Sequence, residues 1–306
     1  MGIREMNYII AIAEEGSISK AAERLFMAQS SLSQYLSSLE HEVGSKLFVR
    51  TSTGVRPTES GRLMIDYAYR ERSEYHRLRD QIQDVEALKG GRVIMGISTF
   101  RGTFLLPPVL GEFRRLYPDV HVEIVEANSM ALEGMLRAGT IDLALIILPA
   151  HILKPEDTEF LMHDEICIIA GKTHPVLKFS RPSPPHSKSR IPNCIDLEDT
   201  IAFEYLLSDY DTILGREGRR IFREHGLLPV VHNEKLSAFF AASLGAAGLG
   251  LAFTYYCARN AYPEAVFLSL GEEGAIIDLG VCLAPGRYHS KAALALRETL
   301  FSVLGD

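Results

Sequence analysis

Cysteine is scarce: the four in this 306-residue chain, Cys167, Cys194, Cys257 and Cys282, stand apart and never as a CxxC pair. That argues against a zinc site of ordinary spacing and a disulfide scaffold, and fits a reducing compartment. Long apolar runs are missing. No stretch of 18 apolar residues offers a membrane-spanning helix. The amino-terminal segment carries Glu5, Glu14 and Glu15 instead of a basic cluster followed by an apolar run, so no export signal is read and a cytoplasmic location is expected. Positive charge is not in excess either. The formal net charge is −7, so any nucleic-acid contact must be a local patch. Catalytic motifs are absent: there is no P-loop, no G-x-S-x-G and no H-E-x-x-H, and the ten histidines form no pair at i, i+4. No metal, cofactor or enzymatic activity is expected. Glycines at 245, 248 and 250 fall between a helix and the following strand, the reverse of a dinucleotide fingerprint, and read as a helix-ending turn.

What is present is an ordinary globular composition, 47% hydrophobic and 23% charged, at a length that suits two domains or a two-lobed one. Three zones follow one another. Residues 1–58 are short helical patterns and tight turns, with six basic and six acidic side chains cancelling. Residues 59–89 are one long polar helical stretch, broken by Gly90-Gly91. From residue 92, apolar strand-like runs alternate with amphipathic helices. Strands are expected at 93–97, 120–125, 143–147, 166–170, 201–205, 230–232, 249–253 and 277–282. Helices are expected at 104–117, 129–138, 213–224, 237–244 and 290–303. This alternation predicts a mostly parallel sheet with helices on both faces. Residues 180–192, rich in Ser, Pro and basic side chains, read as an exposed loop.

Within the first zone, Leu32, Leu36, Leu39 and Val43 recur at 4, 3 and 4 residues and mark the buried stripe of a third helix. Its other face carries Gln29, Ser30, Ser31, Ser33, Gln34 and Tyr35. Short polar side chains suit a DNA major groove, where Gln bonds adenine edges and Ser bonds bases or phosphates. A plain helical interaction module with a polar surface fits the same periodicity. Tyr35 could instead pack on the wing formed by LFVR at 47–50, a turn at Thr53-Gly54 and VRPT at 55–58. Arg50 and Arg56 on that wing would lie beside the third helix and meet phosphates or the minor groove. Thr58 is placed to cap the long helix.

These segments, AIAEEG at 11–16, SISKAAERL at 17–25, QSSLSQYLSSL at 29–39, EHEVGSKLFVR at 40–50 and PTESG at 57–61, resemble the winged helix-turn-helix of LysR-type transcriptional regulators with nearly continuous spacing. The α/β remainder extends the resemblance to almost the whole chain. It implies a sequence-specific DNA-binding regulator with a winged helix-turn-helix over 1–58, a linker and dimerisation helix over 59–89, and an effector-binding domain over 92–306. That domain would have a periplasmic-binding-protein-like fold, lobe one at about 92–162 and 267–306 and lobe two at about 163–266. The effector would be a small molecule, such as a small organic anion, seated between the lobes. The partners implied are double-stranded DNA with an inverted repeat and further copies of the chain, as homodimer or homotetramer. The family usually has Pro where Ser30 stands and often Arg where Gln34 stands. Losing the first removes a rigid helix start, and losing the second removes a charge that grips phosphate or guanine.

In the long helix, Tyr75, Leu78, Ile82 and Val85 recur at 3, 4 and 3 residues, a heptad seam extended backward to Ala68. A single amphipathic helix lying on its own domain is the alternative; the resemblance implies pairing of two subunits. In α/β sheets, ligands sit beyond the carboxyl ends of strands, at helix starts. That rule points to Ser98, Thr99, Phe100, Arg101, Ser129, Phe203, Glu204 and Thr254. Helix capping is the other role open to the Ser and Thr residues, and a surface role the other for Arg101. By resemblance, Ser98, Thr99, Phe100 and Ser129 fall where family members touch effectors. Some members sense peroxide through cysteines, and here Cys194, read as a loop residue, is the candidate.

Overall fold

The computed structural model describes residues 2–52, 54–85, 91–286 and 288–305; at positions 76, 80 and 83–85 it describes the backbone alone. The chain begins with helices α1 (Ile3–Glu15), α2 (Ile18–Arg24) and α3 (Gln29–Glu42). Strands β1 (Phe48–Thr51) and β2 (Gly54–Pro57) pair antiparallel as a wing, and α4 (Glu59–Val85) follows. Ile9, Ile12, Ala21, Leu32, Leu36, Leu39 and Leu47 make one small core of this head. Thr58 opens α4 as expected: its hydroxyl accepts from Gly61 N–H at 2.9 Å and donates to the Lys46 carbonyl at 2.7 Å, tying helix to wing.

The second part runs β3 (Gly91–Ile97), α5 (Thr99–Leu116), β4 (Val120–Glu126), α6 (Ser129–Ala138), β5 (Leu143–Leu148) and β6 (Thr158–Gly171). Next come β7 (Arg181–Pro182), β8 (Asn193–Ile195), β9 (Glu204–Ser208), α7 (Ile213–Glu224), β10 (Val230–Leu236) and α8 (Ala238–Ala246). The chain closes with β11 (Ala252–Tyr255), β12 (Ala265–Leu270), β13 (Ala275–Leu283) and α9 (Lys291–Leu304). Helix starts follow their caps. Asn128, Thr212, Ser237 and Ser290 each accept a backbone N–H three residues on, and Gly139 ends α6 in the left-handed conformation.

The sheet is mixed, which corrects the expectation of a mostly parallel one. Strand β3 pairs parallel with β4 and β5, but β13 runs antiparallel to both β5 and β6, and β11 and β12 run antiparallel to β6. The cause is the long strand β6. Its first half pairs with β13 beside β5, and its second half pairs with β11 and β12. It carries the chain from one lobe to the other, and β13 brings it back. Each lobe has cores on both faces of its sheet. In the first, Val93, Met95, Ile97, Val109, Phe113 and Leu296 fill one face, and Leu132, Leu136, Ile141 and Ile146 the other. In the second, Ile168, Tyr205, Leu214, Phe222 and Phe253 oppose Cys167, Ile169, Ala241 and Ala252. Phe267 and Leu268 lie in the cores of the second lobe, so the return to lobe one comes after β12 and not at residue 267.

Candidate nucleic-acid interface and ligand cleft

Helix α3 buries Leu32, Leu36 and Leu39 and turns Gln29, Ser30, Ser31 and Gln34 to solvent, with Ser33 half-buried at the edge. Its N-cap is Ala28, which has no side-chain acceptor, so the first amide groups of the helix stay open to an anion. Its inner side is anchored by Glu40. This buried carboxylate accepts the N–H groups of Leu47 (2.9 Å) and Phe48 (3.2 Å) and pairs with Lys46 at 2.6 Å. The anchor fixes the wing against the helix, and nothing in the sequence periodicity marked it. Burial raises the Glu40 pKa, but Lys46 and the two amides outweigh that and hold it below the usual carboxylate range.

Tyr35 does not belong to the exposed face. Its ring packs edge-on against Tyr8 of α1 with centroids 5.2 Å apart, and its hydroxyl is buried. Burial, reinforced by Glu5 and Glu42, pushes that hydroxyl up to about 12. Tyr35 therefore braces α3 on α1, not on the wing. Arg50 and Arg56 are both exposed, but Arg50 is registered with Val55 and Arg56 with Val49. Paired residues share a face of a ribbon. The two arginines thus project from opposite faces of the wing, Arg56 beside exposed Val49 and Arg50 beside half-buried Val55.

On α4, Tyr75, Leu78 and Ile82 are exposed, the last two 52% and 57%, and line up as an apolar stripe. Ala68 is not part of it: it is fully buried in the core of the head. The Val85 side chain lies outside the described residues. Among those described, no helix is long and apolar enough to cross a membrane.

At the strand ends, the structure separates the predicted residues. Ser98 and Thr99 open α5, and Ser98 makes no side-chain cap bond. Ser129 opens α6 and is buried, the capping being done by Asn128. Phe100 leaves its own lobe and packs into the core of the second, 4.8 Å from Phe239 and 5.4 Å from Tyr255 between ring centroids. Arg101 is not on the surface. It is 2% exposed, stacks 4.1 Å over the Tyr255 ring and faces Asp164 at 4.0 Å, while Asp164 accepts the Cys257 N–H at 3.0 Å. Thr254 is fully buried. It is registered with Cys167 and so points away from the face that holds Tyr255. Phe203 and Glu204 stand at the start of β9, not past its end, because the strand begins three residues later than the pattern indicated. Phe203 packs on His174 and Phe179, and Glu204 pairs with His232 at 3.2 Å. On the second lobe, the helix start that meets Phe100 is that of α8, capped by Ser237; the helix was expected at 237–244, but its start was not among the candidate effector residues. An open cavity of about 1370 Å3 lies elsewhere, between α4 and lobe one, with Asp66, Arg70, Arg77, Arg92 and Asp142 in its lining.

Cys194 is not in a loop. It is fully buried in β8, and Cys167 and Cys282 are equally enclosed. Burial pushes the thiols of Cys167 and Cys257 well up and that of Cys282 to about 12, which suppresses the reactive thiolate.

Residues 3–62 match the family described as bacterial regulatory helix-turn-helix protein, lysR family, and residues 86–305 match the LysR substrate binding domain. The chain belongs to the LysR family. It is thus a LysR-type transcriptional regulator with a DNA-binding head and an effector-binding domain. A probable RuBisCO transcriptional regulator of Cyanophora paradoxa is 27% identical over 98% of this chain and 92% of its own length. One of Nostoc sp. is 27% identical over 97% and 86%. Among solved structures, full-length OxyR C199D from Pseudomonas aeruginosa superimposes with a TM-score of 0.68 at 20% identity, covering 98% of both chains. CbnR complexed with its target DNA gives 0.68 at 18% identity, covering 99% of this chain and 100% of CbnR. These structures share the two-lobed fold of this regulator.

Proposed function

We propose that this LysR-type regulator acts in the cytoplasm as a dimer, or a dimer of dimers, on an inverted-repeat operator. Gln29, Ser30, Ser33 and Gln34 of α3 meet base edges, and Ser31 and the open amides at the helix start meet phosphate. Arg50 and Arg56 straddle the wing and contact the backbone on its two sides. The single observation that carries this reading is the exposed polar edge of α3, uncapped at its start and braced from behind by Glu40 and Tyr35. Because the head has no net charge, one copy binds weakly. Two heads joined along Tyr75, Leu78 and Ile82 gain through effective concentration.

The effector, a small organic anion, sits between the lobes at Ser98, Thr99 and Ser129, near the start of α8. Phe100, Phe104, Phe239 and Tyr255 form the apolar wall that joins the lobes there. Its binding shifts the population of lobe arrangements and so the placement of paired heads on DNA. The test is pull-down of genomic DNA with the full-length protein. A motif with two-fold symmetry should be enriched, and Gln29→Ala with Ser33→Ala should weaken its binding at least tenfold while leaving unfolding unchanged. Undiminished specific binding by that double variant would overturn the assignment.

A further inference from the structure

The turn between α2 and α3 holds a residue that neither the core nor the base-reading set uses. Phe26 has φ +53°, the only positive-φ residue other than glycine among the described residues. It is 98% exposed, more than any other large apolar side chain described. A bulky side chain in the left-handed region is an outlier, since glycine or asparagine would fit the turn with less strain. The turn itself is firmly held. Phe26 N–H donates to the Glu23 carbonyl at 3.1 Å and Met27 N–H to the Ala22 carbonyl at 3.0 Å. Its neighbours Leu25 and Met27 pack on the core of the head, which leaves the ring directed outward. It stands three residues ahead of Gln29, at the edge where Ala28, Gln29, Ser30 and Ser31 are all exposed.

From this geometry we infer that Phe26 is a specificity-determining residue of the DNA-binding reaction, reading the C5 methyl group of a thymine beside the bases met by Gln29. The inference rests on the DNA-reading role of α3 proposed above. In the major groove the thymine methyl is the apolar feature on a base edge, and an aromatic ring contacts it directly. The ring supplies what the Gln and Ser residues lack. An exposed phenyl group in a strained turn gains nothing in water, and backbone outliers of this kind gather at functional sites.

The experiment uses the full chain with Phe26→Gly and Phe26→Asn, both of which suit a left-handed turn. Each is titrated against the enriched operator and against copies in which single thymines are replaced by uracil, which removes only the methyl group. For the unaltered protein, one such replacement in each half-site should weaken binding about fourfold per half-site, the worth of one buried methyl. Both variants should bind the thymine operator more weakly by a similar factor, ignore that replacement, and unfold no more easily than the unaltered chain. The inference falls if either variant binds as tightly as the unaltered protein, or if uracil still weakens the variants. It falls equally if the loss is the same on unrelated DNA, or if the variants change the oligomeric state and not the DNA affinity. Failure of the underlying reading looks different: Gln29→Ala then leaves specific binding intact, whatever happens at position 26.

Discussion

Glu40 and Arg101 are charged residues that the structure buries although the hydrophobic pattern of the sequence did not mark them, and each carries a prediction. Glu40→Ala leaves the amides of Leu47 and Phe48 without acceptors, so the head should lose roughly 2–4 kcal/mol in denaturant unfolding. Lys46→Ala should cost less than about 1 kcal/mol, because its side chain is 73% exposed. The Glu40 pKa is lowered in the folded state, so its contribution is fully present above the ordinary carboxylate range and is lost as pH falls through the folded value. Unfolding midpoints of the head should therefore drop below about pH 4.5, and Glu40→Gln should flatten that decline. An unchanged pH profile would show that the carboxylate is not the acceptor. For Arg101, removal of the guanidinium strands the Asp164 carboxylate at 6% exposure. Arg101→Ala should cost about 3–5 kcal/mol, and Arg101→Met with Asp164→Asn should recover most of it. A mild single variant, with altered ligand response only, would return Arg101 to the cleft.

At the scale of elements, α4 leaves an apolar stripe in water. Leu78 and Ile82 lie one turn apart, and in a two-fold pair each is buried twice. Leu78→Glu with Ile82→Glu should raise the dimer dissociation constant at least about 100-fold by light scattering, since each buried side chain contributes roughly 1.5–3 kcal/mol. An unaltered mass at micromolar concentration would place the interface elsewhere. Elements with strong local signals were legible in the sequence. Helices α6 and α7 were bounded correctly because Asn128, Thr212 and Gly139 mark their ends. The third helix of the head followed from its leucine stripe, and its exposed polar edge followed with it. Strand β6 was read at about a third of its length, because Glu159, Phe160 and His163 face solvent where the strand crosses between lobes. Strand direction was legible where strand and helix alternate, as in the parallel β3, β4 and β5, but not for β13, which returns antiparallel to β6 from more than a hundred residues away. The candidate cleft suffered for the same reason. Thr254, Phe203 and Glu204 were placed by a rule about strand ends, and a shift of a few residues in a strand exchanges its ends and its faces.

Across the whole molecule, α6 joins the two functions. It starts at Ser129, in the proposed cleft, and ends at Gly139, whose carbonyl accepts the Ser73 hydroxyl of α4. Its ten residues span about 15 Å. Leu132 and Leu136 are fully buried, and Glu133 accepts the N–H groups of His151, Ile152 and Leu153, so the helix is docked along its length. A ligand that displaces the start of α6 must displace its end, and with it the contact to the linker helix. Coupling between sites is reciprocal in binding free energy. Operator DNA bound at α3 must then alter α6, and no effector is needed to see it. Hydrogen exchange in α6 should slow about 5- to 150-fold when the full-length protein binds its operator, the usual range for coupled sites. Ser73→Ala should abolish most of that slowing while leaving operator affinity within about threefold, because the hydroxyl touches neither DNA nor the head. If α6 protection rises equally in the Ser73→Ala variant, the signal reaches lobe one by another route, and the cavity flanked by Arg77, Arg92 and Asp142 is the next place to perturb.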